Sequence, residues 1–449
     1  MRPQCGGTAT RLAKIQATLG PASSSLETLH QMADAGMDGC RLNMSHCTPD
    51  TAAALAATVR RLAAERGRPI PLGADIRGPK LRIGEVRGGR VVLDREATVR
   101  LIVGRDLSDA TAIYVDYPHL TEDLRPGKPV LLNDGLIQLR VKEVRQGTAL
   151  CLVEKGGELT SRKGLNLPGT PLQVPSLTPK DRVDLALAVE VGVDFLMLSF
   201  ARSAAHVREV RAAVAGLGAR IPLVAKIERQ EGVDALREIV DAADGICVAR
   251  GDLGIETPVG APPEIQREAA DLCRHAGKFV MNGGQLLSSM VSSPIPLRAE
   301  VADLSAAVMD GLDAVVLSDE TAAGDYPVEA VRIADQVMAR AEQERTRRNG
   351  DRDKGGIDGS RLGAVVVVSP DGQMAERLSA SRGASPIVAV VERPDRANWL
   401  ATCWGVLPVL VEDCAAEGAV QQALQTITSA HPSLRARRFL MLEDRRAAI

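Results

Sequence analysis

Eight short apolar runs recur along the chain, most of them separated by stretches with helical spacing. They are Lys14 to Leu19, Gly39 to Met44, Pro71 to Ile76, Asp194 to Phe200, Pro222 to Ile227, Gly245 to Ala249, Lys278 to Asn282 and Ala314 to Leu317. The intervening stretches include Leu26–Ala35, Thr51–Arg66, Ala204–Ala215, Pro263–Ala276 and Leu304–Met309. Near-continuous apolar strands alternating with helices imply a parallel sheet buried on both faces. Eight such units predict a closed (β/α)8 barrel. A doubly wound open sheet is the alternative that the pattern leaves.

The rhythm breaks once. Between Ile76 and about Gln173 the pattern becomes a two-residue alternation, as in Arg90–Leu93, Thr98–Val103, Leu136–Val141 and Ala149–Val153. This predicts a small β-barrel domain inserted after the third barrel strand. An insertion there stands at the C-terminal rim, where barrel enzymes keep their active sites, and is placed to act as a lid. A polar stretch from Glu342 through Gly350 to Ser360 reads as a linker. Strand-like Gly363–Val368 and Pro386–Val391 around a helical Met374–Ala380 then predict an α/β domain. The expected division is a barrel from 1–76 and 173–345, a lid from 77–172, and a shortened three-layer α/β domain from 346–449.

Composition excludes several classes. With 55 Lys+Arg against 57 Asp+Glu, the chain lacks the basic excess of a nucleic-acid binder. Aromatic residues at 2% also argue against base stacking. Its 45% hydrophobic content suffices for a packed core. The eight cysteines show no CxxC and no zinc spacing, so they read as small buried hydrophobes in a reducing, cytoplasmic setting. No apolar signal core or membrane-length run is seen.

Polar side chains gather at the C-terminal ends of the expected strands: Arg41 and Asn43, Asp75, Ser199, Lys226 and Glu228, Arg250 and Asp252, Ser318 and Glu320. That is where a barrel places its chemistry. Alternation puts Lys226 and Glu228 on one face of their strand. Glu228 and Asp252 form a two-carboxylate site suited to a hard divalent cation such as Mg²⁺. An ion pair between Lys226 and Glu228 fits the same spacing equally well.

The motifs Lys14–Ser23 (KIQATLGPAS), Gly36–His46 (GMDGCRLNMSH), Ala225–Glu228 (AKIE) and Val248–Glu256 (VARGDLGIE) resemble those of pyruvate kinases. Gln285–Met290, Arg298-Ala299-Glu300 and Asp310–Gly324 (DGLDAVVLSDETAAG) continue the set in family order, with Lys163–Gly169 (KGLNLPG) in the insert. The resemblance implies a cytoplasmic, homo-oligomeric (tetrameric) phosphotransferase. Its substrates would be phosphoenolpyruvate, or a related acid, and ADP, giving pyruvate and ATP with Mg²⁺ or Mn²⁺. It implies that Lys226 stabilises the transferring phosphoryl and the enolate, and that Arg41 grips phosphate. Glu228 and Asp252 would hold the divalent cation. The backbone of Gly251 and Asp252 would hold the substrate carboxylate, and His46, Arg82 and Lys163 would meet the nucleotide. Asn43, Ser45 and Asp75 match a monovalent-cation site. Lys80 stands where potassium-dependent members carry Glu, which implies an ammonium in place of K⁺.

The chain also departs from the family pattern. Gly284 replaces a substrate-contacting Thr implicated in protonating the enolate, which raises the alternatives of a different enol or keto acid or of a non-catalytic binder. Leu297, Asp319, Cys47, Arg229 and Ser288 are further departures. The Ser369–Ala375 loop only loosely resembles the family's effector loop, and the family's final glycine-rich loop and strands are not matched, so loss of sugar-phosphate control is expected.

Overall fold

The computed structural model describes residues 11–350, 362–431, 434 and 438–443. Eight parallel strands close into a barrel in sequential order. They are β1 (Lys14–Leu19), β2 (Gly39–Asn43), β3 (Leu72–Ile76), β4 (Phe195–Leu198), β5 (Leu223–Ile227), β6 (Gly245–Ala249), β7 (Phe279–Gly283) and β8 (Ala314–Leu317). The closed ring settles the choice against the open sheet. Seven of the eight are buried at every position; the exception is β2, which brings Arg41 and Asn43, half-buried, to the rim. Glycines make room inside the barrel. A Cβ on Gly73 would meet the Phe195 ring at 2.3 Å, and one on Gly245 would meet Phe279 at 2.8 Å.

Local chemistry sets the helix bounds. In Pro49–Arg66, Thr48 and Thr51 cap each other's amides, Pro49 occupies the first turn, and Gly67 ends the helix at φ 60°. Thr178 and Asp181 cap Pro179–Glu190 in the same reciprocal way.

The break after β3 is a β-rich insert with its own apolar core, including Leu101, Ile113, Leu139 and Val153. Its strands form a six-stranded sheet and a two-stranded ribbon (Arg90–Leu93 with Gly157–Thr160). Isolated bridges from Arg82 to Gly164 and from Ile83 to Val115 link the two edges of the six-stranded sheet. One pair, Thr98–Val103 with Ala112–Val115, is parallel.

The stretch expected as a linker is helical up to residue 350, within a long helix Pro327–Gly350. Its continuation from 351 to 360 lies outside the described residues. The C-terminal segment holds a four-stranded parallel sheet in the order Val406–Leu410, Ile387–Val391, Leu362–Val368, Arg438–Glu443. Gln373–Ala380 and Pro394–Leu400 pack on one face through Ala375, Ala397 and Leu400. Ala419–Ala430 packs on the other through Ala423 and Ile427, which gives three layers.

This segment seats under the N-terminal end of the barrel. Arg382 pairs with Asp313 at 2.5 Å with both side chains buried, and Asp313 also accepts from the Trp404 amide at 2.8 Å. Lys14, buried in β1, reaches the Val406 carbonyl at 3.0 Å. Six of the cysteines, Cys40, Cys151, Cys247, Cys273, Cys403 and Cys414, are buried; Cys47 is half-buried, and Cys5 lies outside the described residues.

Candidate active site

At the C-terminal ends of the strands, one connected cluster forms around Asp75 at the tip of β3. Lys226 Nζ, from β5, lies 3.2 and 3.1 Å from the two Asp75 oxygens and 2.7 Å from Ser199 Oγ. Ser199 donates to Asp75 at 3.1 Å. Arg41, from β2, pairs with Asp75 Oδ2 and donates to Thr18 Oγ1 at 2.9 Å. Two cations are thus held side by side on one buried carboxylate.

The Lys226–Glu228 ion pair exists, at 3.1 Å. Glu228 also accepts from the Phe200 amide at 2.6 Å, and Phe200 adopts φ 54°. The two readings of this pair do not exclude each other, because a carboxylate can hold an ammonium while keeping lone pairs for a further cation.

Burial works against the charge on Lys226, but Asp75 and Glu228 outweigh it and hold its pKa above the ordinary lysine value. Lys226 is therefore a fixed ammonium and no base. Burial alone would raise the Asp75 carboxyl; Lys226 and Arg41 outweigh that and keep it below the usual carboxylate range. Glu228 is pushed up, first by burial and then by the charges of Asp252 and Asp75, against the pull of Lys226. The acidic field of Asp252 and Asp75 at Glu228 is the environment that a bound cation relieves.

Asp252 lies in the short helix Arg250–Glu256 that follows β6, and its Oδ1 is 2.7 Å from Lys80 Nζ. Among the described residues no group of three or more His, Cys, Asp or Glu side chains is arranged as a closed metal cage. Two hard carboxylates with the rest of the shell left to water and substrate suit Mg²⁺, and the donor chemistry fits that ion. Arg250 is clamped in a two-pronged pair with Asp303, which fixes the start of this helix.

The structure brings Gly251 and Gly284 together. Gly284 has φ +91°, and a Cβ there would stand 3.1 Å from the Gly251 amide nitrogen. The loop after β7 has thus settled into a backbone that favours glycine.

Asn43 Oδ1 accepts from the Ser45 amide at 3.2 Å, so part of the expected monovalent-cation set is engaged in a local turn. Lys80 bonds to Asp252, while Asp75 is held by Lys226, Arg41 and Ser199. His46 is exposed just beyond β2. Arg82 and Lys163 lie in the insert, where Arg82 bridges to Gly164 and the Lys163 carbonyl accepts from Ile83 at 3.0 Å. Burial, and then the charge of Arg77, lowers the pKa of the Arg82 guanidinium.

Several members of the site carry weak sequence signals. Thr18 lies inside the KIQATLGPAS run, and Ser199, marked in the sequence as a strand-end polar residue, directly follows β4. The Phe200 amide could not be read from the sequence, because a main-chain donor has no residue type. Arg229, noted only as a departure, proves to join barrel to insert. It donates to the Thr170 carbonyl at 2.9 Å and lies 3.8 Å from the buried Glu256, which itself accepts from Asn166 at 2.8 Å. Among the other departures, Leu297, Asp319 and Ser288 are exposed. Nothing in the structure explains their identities.

Residues 10–331 match the family described as "Pyruvate kinase, barrel domain", and residues 359–440 match "Pyruvate kinase, alpha/beta domain". The pyruvate kinase of Agrobacterium vitis is 39% identical over 445 residues, covering 94% of this chain and 92% of the relative. That of Methylorubrum extorquens is 37% identical over 423 residues, covering 90% and 88%. Human pyruvate kinase PKLR is 37% identical over 436 residues, covering 90% of this chain and 76% of the relative. The fold and its charged rim are those of a kinase built on a (β/α)8 barrel. The chain belongs to the pyruvate kinase family.

Proposed function

We propose that the chain transfers a phosphoryl group from phosphoenolpyruvate to ADP, with Mg²⁺ or Mn²⁺, giving pyruvate and ATP. The observation that carries this reading is the buried pair of fixed cations, Lys226 and Arg41, locked onto Asp75 at the barrel rim beside Glu228. Phosphoryl transfer asks mainly for positioning and for charge neutralisation around the moving group. Arg41 offers a planar fork to a phosphoryl oxygen, and Lys226 offers a point charge to the same group and to the enolate oxygen it leaves behind. The P–O bond to the enol breaks as one forms to a terminal oxygen of ADP, and the enolate then takes a proton at carbon.

Glu228 and Asp252 would hold the divalent cation, which supplies positive charge to the phosphoryl and enolate oxygens when bound. The amides of Gly251 and Asp252 face the substrate carboxylate. His46, Arg82 and Lys163 serve the nucleotide side, the last two from residues 77–172 acting as a lid. Lys80 carries the charge that potassium-dependent members take from K⁺, so Asn43, Ser45 and Asp75 need no monovalent ion. A homo-oligomer in the cytoplasm is the setting consistent with the family.

A second reading rests on Gly284. With no hydroxyl at this position, protonation at carbon runs through water, or the added space admits a larger enol or keto acid. A coupled assay with phosphoenolpyruvate, ADP and Mg²⁺, run with and without K⁺, tests both. Turnover at equal rates with and without K⁺ is the expected result. Activation by K⁺ would overturn the assignment of Lys80, and turnover only with a substituted enol acid would favour the second reading.

A further inference from the structure

We propose that Lys80 is a strap that the divalent cation must release: its ammonium competes with the metal for Asp252 and ties the insert to the barrel until the metal binds. This rests on the reading of Asp252 as a metal ligand. Lys80 Nζ lies 2.7 Å from Asp252 Oδ1, with both side chains about four-fifths buried (23% and 22% exposed). Lys80 follows the hinge out of β3, where Gly78 N donates to Asp181 at 3.0 Å and Lys80 N to the Gly78 carbonyl at 3.0 Å.

The segment just beyond it is fastened to the insert. Leu165 N donates to the Leu81 carbonyl at 3.0 Å, and Arg82 bridges to Gly164. The Lys80 side chain itself passes close to Gly164, where a Cβ would meet its Cε at 3.7 Å. Lys80 therefore moves with the insert, whereas Asp252 is fixed to the barrel through the helix that Arg250 and Asp303 clamp.

An ammonium 2.7 Å from Asp252 Oδ1 leaves the carboxylate other lone pairs, but a cation brought to them meets a second positive charge at close range and is repelled by it. Binding of one must weaken the other by the same factor. Metal binding thereby loosens the hinge, and the lid is untied when the charge needed for chemistry has arrived.

The test is Mn²⁺ binding without substrate, read from the electron paramagnetic resonance of the free ion, together with hydrogen exchange across residues 77–82. Removing a partly exposed ion pair predicts that Lys80→Met binds Mn²⁺ about two- to fivefold more tightly. Lys80→Gln provides the same test should Lys80→Met fold poorly. In the unaltered chain Mn²⁺ should speed exchange across 77–82; in either variant exchange should be fast with or without it. Unchanged or weaker Mn²⁺ binding in both Lys80 variants, with Asp252→Asn losing affinity, would overturn the strap and leave the metal site standing. Asp252→Asn binding Mn²⁺ as the unaltered chain does would instead remove the metal-site reading, and the strap with it.

Discussion

Lys226 is charged because two carboxylates surround it, and those carboxylates are tolerable in the interior because Lys226 and Arg41 surround them. Removing one partner leaves the other charges buried and unmatched. Replacing Lys226 with Met should lower kcat by about 10²–10³ or more, the scale for loss of one preorganised charge-stabilising donor. It should also lower stability by about 3–5 kcal/mol, as for a broken buried pair. Steady-state kinetics and urea unfolding check the two parts. Gly284 makes a different prediction. A threonine there carries a hydroxyl, but the left-handed backbone at φ +91° and the nearby Gly251 amide oppose any Cβ. Gly284→Thr should therefore cost roughly 1–3 kcal/mol of stability, the scale of a strained residue, and should not raise turnover. The charged residues at strand ends were legible because alternation and strand position fix where such side chains point. The backbone at Gly284 was not, since a glycine in a sequence shows only that freedom is allowed.

Glu342 shows how an element can be misread. The stretch from 342 to 350 looks like a linker because it is polar, yet its charges fall three and four apart, and Glu344 pairs with Arg347 at 2.8 Å and Arg348 at 2.7 Å. Glu342 is the exception, turned inward to accept from the amides of Leu12 at 2.9 Å and Ala13 at 2.8 Å. Burial pushes its carboxyl up from 4.5 to about 7. The folded state therefore binds this proton more tightly than the unfolded chain does. Its stabilising contribution is complete below about pH 4.5 and is lost as pH rises through 7. At 1.36 kcal/mol per pH unit the span amounts to roughly 3 kcal/mol. Glu342→Gln should flatten that fall, which denaturant midpoints taken between pH 5 and 8 would show. Elsewhere the elements followed the pattern closely: β1, β6 and β8 have the bounds expected from their apolar runs.

Across the whole molecule, the periodic strands made the barrel legible and the change of period made the insert legible. The joints between them were not, because they are made by single side chains far apart in sequence. Arg382 is one such joint, donating to the Gly311 carbonyl at 2.6 Å and pairing with the buried Asp313. Arg382→Ala should destabilise the chain by about 3–5 kcal/mol through the unmatched Asp313 charge, and should loosen the C-terminal segment first in hydrogen exchange. Arg229 is the corresponding joint to the insert. The claim that unites these parts is that the barrel rim moves a phosphoryl group from an enol phosphate to a nucleoside diphosphate. Phosphorus-31 resonance of the protein with phosphoenolpyruvate, ADP and Mg²⁺ follows that transfer directly. The expected result is loss of the phosphoenolpyruvate signal matched by growth of the γ-phosphoryl signal of ATP, with neither change in Lys226→Met. A phosphoenolpyruvate signal that persists beside unchanged ADP would contradict it.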